Sequence, residues 1–211
     1  MSKLKHSPSK YDVKDHNIDE AHNVLKNKLN IIDEEKLELK EAESLFEAYK
    51  ILSKQYLDNY RFNESDVKFI HKTFLGPIYA WAGEYRTVDL VSPDIRWCHA
   101  QYIQSEMEKF GKLLEQNTPF KPNYSREELL RKLAIIHGEL IIIHPFRDGN
   151  GRTTRLLCDL LLMQAGYPPI VKNFLNQSKS YVKKYHLAIQ EVWTQKKYSK
   201  LINVLNDLIG D

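Results

Sequence analysis

Between residues 144 and 155 the chain reads HPFRDGNGRTTR, which places one imidazole, one carboxylate, two glycines around an amide, and two guanidinium groups in a single short run. Gly149 and Gly151 lack a β-carbon, so their backbone can adopt positive φ and approach a bound anion closely with a nest of N–H donors. If a helix begins here, its first-turn amides have no internal partners and its dipole adds partial positive charge. Asn150 can donate its side-chain amide to the same anion. Arg152 and Arg155 stand three apart on one helical face, so both forks reach one ligand, and two arginines imply more than one phosphate. Asp148 suits Mg²⁺, which takes one or two protein carboxylates and completes its shell with water and phosphate oxygens. His144 has a reference pKa near 6.5, so its neutral form can accept a proton from a hydroxyl near neutral pH. Phe146 reads as a core anchor for the loop, Pro145 as a stiff helix exit, and Arg147 as solvent-facing.

The elements on either side must hold these groups. Ser125 with Glu128 three residues on is a capping box, and Leu129, Leu130, Leu133, Ile136, Leu140 and Ile143 continue the helical period. Pro145 disfavours helix for the residue before it, which puts His144 at the helix end. His137, two turns earlier, is expected to be structural. After the glycine turn, Arg152 to Ala165 reads as a buried helix through Leu156, Leu157, Leu160 and Leu161, stopped by Gly166.

Further helices are expected over Asp33–Tyr56, with Asp33 as N-cap, and from Ser65 to the Gly76-Pro77 break. Others follow over Gln101–Leu114, Tyr181–Val192 and Ser199–Ile209. Tyr181 and Tyr185 fit core positions better than a base-stacking site. Between Gly83 and His99 the period changes: RTVDLV and IRWCH, separated by Ser92-Pro93-Asp94, read as a short β-hairpin. Residues 1–17 are polar and form an arm, leaving 18–211 as one domain, mainly α and compact, with that hairpin as its strand signal.

Apolar residues at 42% and charged residues at 28% describe a chain that folds. A net charge of +3, with no basic block, gives no footing for nucleic acid. No apolar window is long enough for a membrane span. Cys98 and Cys158 lie far apart without metal spacing, which fits free thiols in a reducing cytoplasm.

HPFRDGNGRTTR matches the pattern HPFx(D/E)GNGRxxR at every specified position, and on it the chain resembles the Fic family. NVLKNKL (residues 23–29) and YAWAGEYRT (residues 79–87) are also similar to that family. The resemblance implies a helical domain with a hairpin flap at Gly83–His99, which would pair with an extended segment of a target protein through Ile95, Arg96 and Trp97. It implies transfer of AMP from ATP to a Tyr, Thr or Ser hydroxyl of that target. His144 would be the base, Asp148 the Mg²⁺ ligand, and Gly149, Asn150, Gly151, Arg152 and Arg155 the nucleotide cradle. Transfer of another nucleotide or phosphate group, or a silent peptide-binding module, are the rival readings; the intact GNGR signature counts against phosphate transfer and the intact histidine, acid and arginine pair against the silent module, while the choice of nucleotide stays open. Many members carry an inhibitory helix with (S/T)xxxE(G/N), but no glutamate here is followed by Gly or Asn. In this family that implies restraint by a small separate antitoxin chain, or no such restraint. Action is expected in the cytoplasm of its own cell or of one into which it is delivered.

Overall fold

Asp33 opens the first long helix by accepting the Lys36 N–H at 2.9 Å, with Glu34 and Glu35 against the positive end of the dipole. The computed structural model describes residues 16–19, 21–22, 24–56, 59–90, 97–170 and 178–209. Within them lie α1 (Glu34–Gln55), α2 (Glu64–Leu75), α3 (Ile103–Asn117), α4 (Arg126–Ile143), α5 (Asn150–Gln164), α6 (Lys179–Gln195) and α7 (Ser199–Ile209). A 3₁₀ turn at Ala100–Tyr102 leads into α3. The expected arm falls almost wholly on residues 1–15, outside the described ones.

The mainly helical class and a two-stranded antiparallel hairpin are both observed, but the hairpin is β1 (Ile18–Asp19) with β2 (Val24–Leu25). Gly83–His99 holds no strand in its described residues, 83–90 and 97–99. The reason is where its backbone groups go. Arg86 donates from Nη1 to the Val88 carbonyl at 2.7 Å and from Nη2 to the Cys98 carbonyl at 2.5 Å. Asp89 takes the Ala100 N–H at 2.7 Å. Side chains thus use groups that a ladder would need.

α2 starts one residue earlier than its apolar pattern suggests, because Asn63 and Asp66 form a reciprocal capping box. In α4 the Ser125 hydroxyl accepts the Glu128 N–H at 3.1 Å, a cap that contributes about 1 kcal/mol. α4 is the central helix, packed against α3, α5, α6 and α7, while α5 also meets α1 and α2. Both present buried residues around most of their circumference. The loop that joins them is therefore anchored at each end in the core.

Candidate active site

His144 is the C-cap of α4, and its backbone is left-handed, with φ 54° and ψ 57°. That conformation is uncommon for a residue with a β-carbon and is held here by its surroundings. The His144 N–H reaches the Leu140 carbonyl at 3.1 Å, so the last helical turn closes before the chain turns away. Ring Nδ1 lies 2.9 Å from the Ile141 carbonyl. A carbonyl only accepts, so Nδ1 carries the hydrogen and Nε2 is the basic atom of the neutral ring.

Trp97 stacks on the imidazole, with ring centroids 3.8 Å apart and planes 16° apart. His144 is only 3% exposed. Arg86, buried, donates from Nε to the His144 carbonyl at 2.8 Å, and its own N–H goes to the Pro145 carbonyl at 2.9 Å. One side chain thereby ties the helix end to both limbs of the 83–99 segment. The sequence pattern gives no hint of this role, since Arg86 stands in what reads as a strand.

Phe146 is fully buried and stacks on His71 at 3.8 Å, which is the anchor expected of it. Asn150 accepts the Phe146 N–H on Oδ1 at 2.8 Å and donates Nδ2 to the Phe146 carbonyl at 2.7 Å. Its side-chain amide is thus committed to the loop backbone, at 2% exposure, instead of being turned to an anion. Arg147 is buried at 2%, against the expectation of a solvent-facing side chain, because the loop runs inward alongside His144 and Phe146.

His71 of α2 joins two parts of the site. Its Nδ1 accepts the Gly83 N–H at 2.8 Å, which obliges Nε2 to carry the hydrogen that points to the Asp148 carbonyl at 3.0 Å. Gly149 then caps α5 with φ 77°, and the α5 amides begin at Asn150. The Asp148 carboxylate bonds the Gly149 N–H through Oδ1 at 2.7 Å and has Oδ2 3.6 Å from Arg152 Nη2.

Arg152 is bonded by Glu41 of α1 through Nη1 and lies over the Phe74 ring, 5.0 Å from its centroid. Burial opposes its charge, but the Asp148 and Glu41 carboxylates outweigh that and hold its pKa above the ordinary value. The Arg155 guanidinium folds back over Gly151, where a β-carbon would sit 3.3 Å from Nη1. Burial pulls the Arg155 pKa down, with Arg152 pushing the same way and Tyr185, Tyr49 and Asp159 opposing.

The donor set suits Mg²⁺ held jointly with phosphate. Asp148 offers one carboxylate, and among the described residues no group of three His, Cys, Asp or Glu is arranged as an all-protein cage.

Ile95 and Arg96 lie outside the described residues. Trp97 is described, and it packs on His144. Tyr185 is core, 2.8 Å from His137 Nε2, while the Tyr181 hydroxyl goes to the Val204 carbonyl. Glu41 and His71 were the functional side chains missed by pattern reading. Their signal is a polar residue in an apolar register: Glu41 shares the buried face of Leu37, Ala48 and Leu52, and His71 that of Val67, Ile70 and Phe74.

Two buried histidines set a pH dependence. Desolvation lowers His71 to about 4, opposed by its bond to Asp148, and lowers His137 to about 3, aided by Arg155. Both folded values lie below the unfolded value near 6.5, so the unfolded chain takes up protons first. The associated stability is whole above pH 6.5 and is lost as pH falls toward 4 and 3. At pH 5 the loss is roughly 2 kcal/mol per histidine. Calorimetry should show Tm falling by several degrees between pH 7.5 and 5. His137→Gln should flatten that slope by about half, and an unchanged slope would count against the assignment.

Residues 61–162, which include this loop, match the Fic/DOC family. It is 31% identical over 144 residues to the protein adenylyltransferase VbhT of Bartonella schoenbuchensis, covering 68% of this chain and 30% of that protein. It spans less than half the length of that relative and of two other curated relatives, at 48% and 26%. The fold superimposes on the N-terminal Fic domain of Bep8, a VirB-translocated effector of Bartonella sp. 1-1C, with a TM-score of 0.75 and 26% identity, over 89% of this chain and 91% of that one. It also superimposes on BepC of Bartonella tribocorum, solved with bound AMPPNP, with a TM-score of 0.72 and 21% identity over 91% and 95% of the two chains. Among the described residues no helix is long and apolar enough to cross a membrane.

Proposed function

We propose that the chain is a protein adenylyltransferase that moves AMP from ATP to a Tyr, Thr or Ser hydroxyl of a target protein. The observation that carries this reading is the pairing, across one short loop, of an oriented base with an anion cradle. His144 ends α4 with Nε2 as its basic atom, and Gly149 opens α5 beside Asp148, Arg152 and Arg155.

The nucleotide's polyphosphate lies at the N-terminus of α5, where the first-turn amides and both arginines meet its charge. The target hydroxyl gives its proton to His144 Nε2 while its oxygen bonds the α-phosphorus. The bond from that phosphorus to the bridging oxygen breaks, and pyrophosphate leaves with the electron pair. Asp148 would hold Mg²⁺ against the phosphates, and the ion would supply charge neutralisation for the leaving pyrophosphate. Segment 83–99, tied to the helix end by Arg86, is where the target would dock, with Trp97 nearest the base. The site of action is the cytoplasm of the cell of origin or of a recipient cell, and restraint comes from a small separate antitoxin chain or is absent.

The test is incubation with lysate, Mg²⁺ and ATP labelled separately on the α- and γ-phosphates. Label should enter protein from α-labelled ATP alone. Entry from γ-labelled ATP alone would replace the reading with a kinase.

A further inference from the structure

Glu41 is a carboxylate in the middle of α1, 7% exposed, on a helix face otherwise built of Leu37, Ala48 and Leu52. Neither sequence motif nor helix capping calls for an acid there. Both of its oxygens are used: Oε1 accepts the Tyr79 hydroxyl and Oε2 binds Arg152 Nη1. The opposite edge of the same guanidinium, Nη2, lies 3.6 Å from Asp148 Oδ2, and the Phe74 ring supports its plane. Three elements far apart in sequence therefore converge on one arginine at the head of α5.

We propose that Glu41, held by Tyr79, is a positioning residue that fixes the Arg152 fork for a polyphosphate. This rests on the nucleotide reading given above. A planar fork recognises phosphate bidentately only when its orientation is set, and binding is tighter when that ordering precedes the ligand. Glu41 grips the edge away from Asp148 and leaves the Asp148 edge turned to the loop. It also keeps Arg152 neutralised when the Asp148 carboxylate turns to another partner.

The alternative role for an acid on this arginine is a latch that competes with phosphate. The geometry opposes it: Tyr79 locks the carboxylate from the other side, and release of Arg152 would leave a buried acid with one neutral hydroxyl as its remaining bonded partner. The surrounding residues also differ from the (S/T)xxxE(G/N) pattern, with Leu37 four positions before and Ala42 after.

The experiment compares calorimetric binding of ATP and of AMP, both with Mg²⁺, to wild type, Glu41→Gln and Tyr79→Phe. Glu41→Gln should raise the Kd for ATP about tenfold, the loss expected for a charged hydrogen bond, and leave that for AMP within about twofold. Tyr79→Phe should weaken ATP by about threefold in the same selective way, and it carries the test if Glu41→Gln does not fold. Unchanged ATP affinity in these variants would overturn the proposal. So would tighter binding, which is the signature of a latch. Wild-type protein that binds no ATP would instead remove the nucleotide reading itself, and this proposal with it.

Discussion

His144→Ala loses AMP transfer by about a thousandfold or more in kcat and binds ATP with a Kd within about twofold of wild type. The size follows from the role, since a positioned base contributes about 10²–10⁴ and the two other buried imidazoles among the described residues are already committed. His137 is committed to Tyr185 and Cys158, and His71 to Gly83 and Asp148. The split between transfer and binding follows from geometry. The imidazole is oriented by the Ile141 carbonyl and the Trp97 face at the end of α4, whereas the phosphate donors belong to α5. Quenched-flow transfer and equilibrium ATP binding on the same preparation separate the two effects. Transfer at the wild-type rate would sink the mechanism, and a large loss of ATP affinity would show that the ring serves the nucleotide instead.

The helices and the loop were legible because their signals are local. Asp33 and Ser125 are caps within three residues of the amides they satisfy, and the α4 and α5 periods run unbroken to the loop. The places of His144 at the end of α4 and of Gly149 at the head of α5 could be read from residue type and spacing alone. What could not be read depends on partners distant in sequence. Residues 86–90 alternate like a strand, yet the Val88 and Cys98 carbonyls are taken by Arg86, and no periodicity encodes which side chain will reach them. Asn150 has an amide suited to phosphate, but the short turn between Phe146 and Asn150 offers that amide a closer partner. Glu41 and His71 left a weak trace as polar residues on apolar faces. That trace says a partner exists without naming it, and Arg152 and Asp148 were found only once the helices had been packed together.

Gly149→Ala should cost about a hundredfold in transfer along with several degrees of Tm, although it adds only one methyl group. At φ 77° an L-residue pays about 1 kcal/mol relative to glycine. The new β-carbon would also stand 2.6 Å from Leu75 Cδ1 and 3.3 Å from His71 Nε2. Leu75 is fully buried and His71 is held at both nitrogens, so neither can retreat and the loop must move instead. A shift of about 1 Å there drags the Asp148 carbonyl off His71 and tilts the first amides of α5, an error sufficient for a loss of that order. Gly166 provides the matched control. Its φ is 82°, but a β-carbon there would meet nothing within 4 Å, and it lies at the far end of α5. Gly166→Ala should therefore lower Tm by about 2–4 °C, the backbone cost alone, with transfer unchanged. Equal activity losses in the two variants would mean that global destabilisation is responsible. A loss confined to Gly149→Ala would tie catalysis to the close seating of this one glycine on α2.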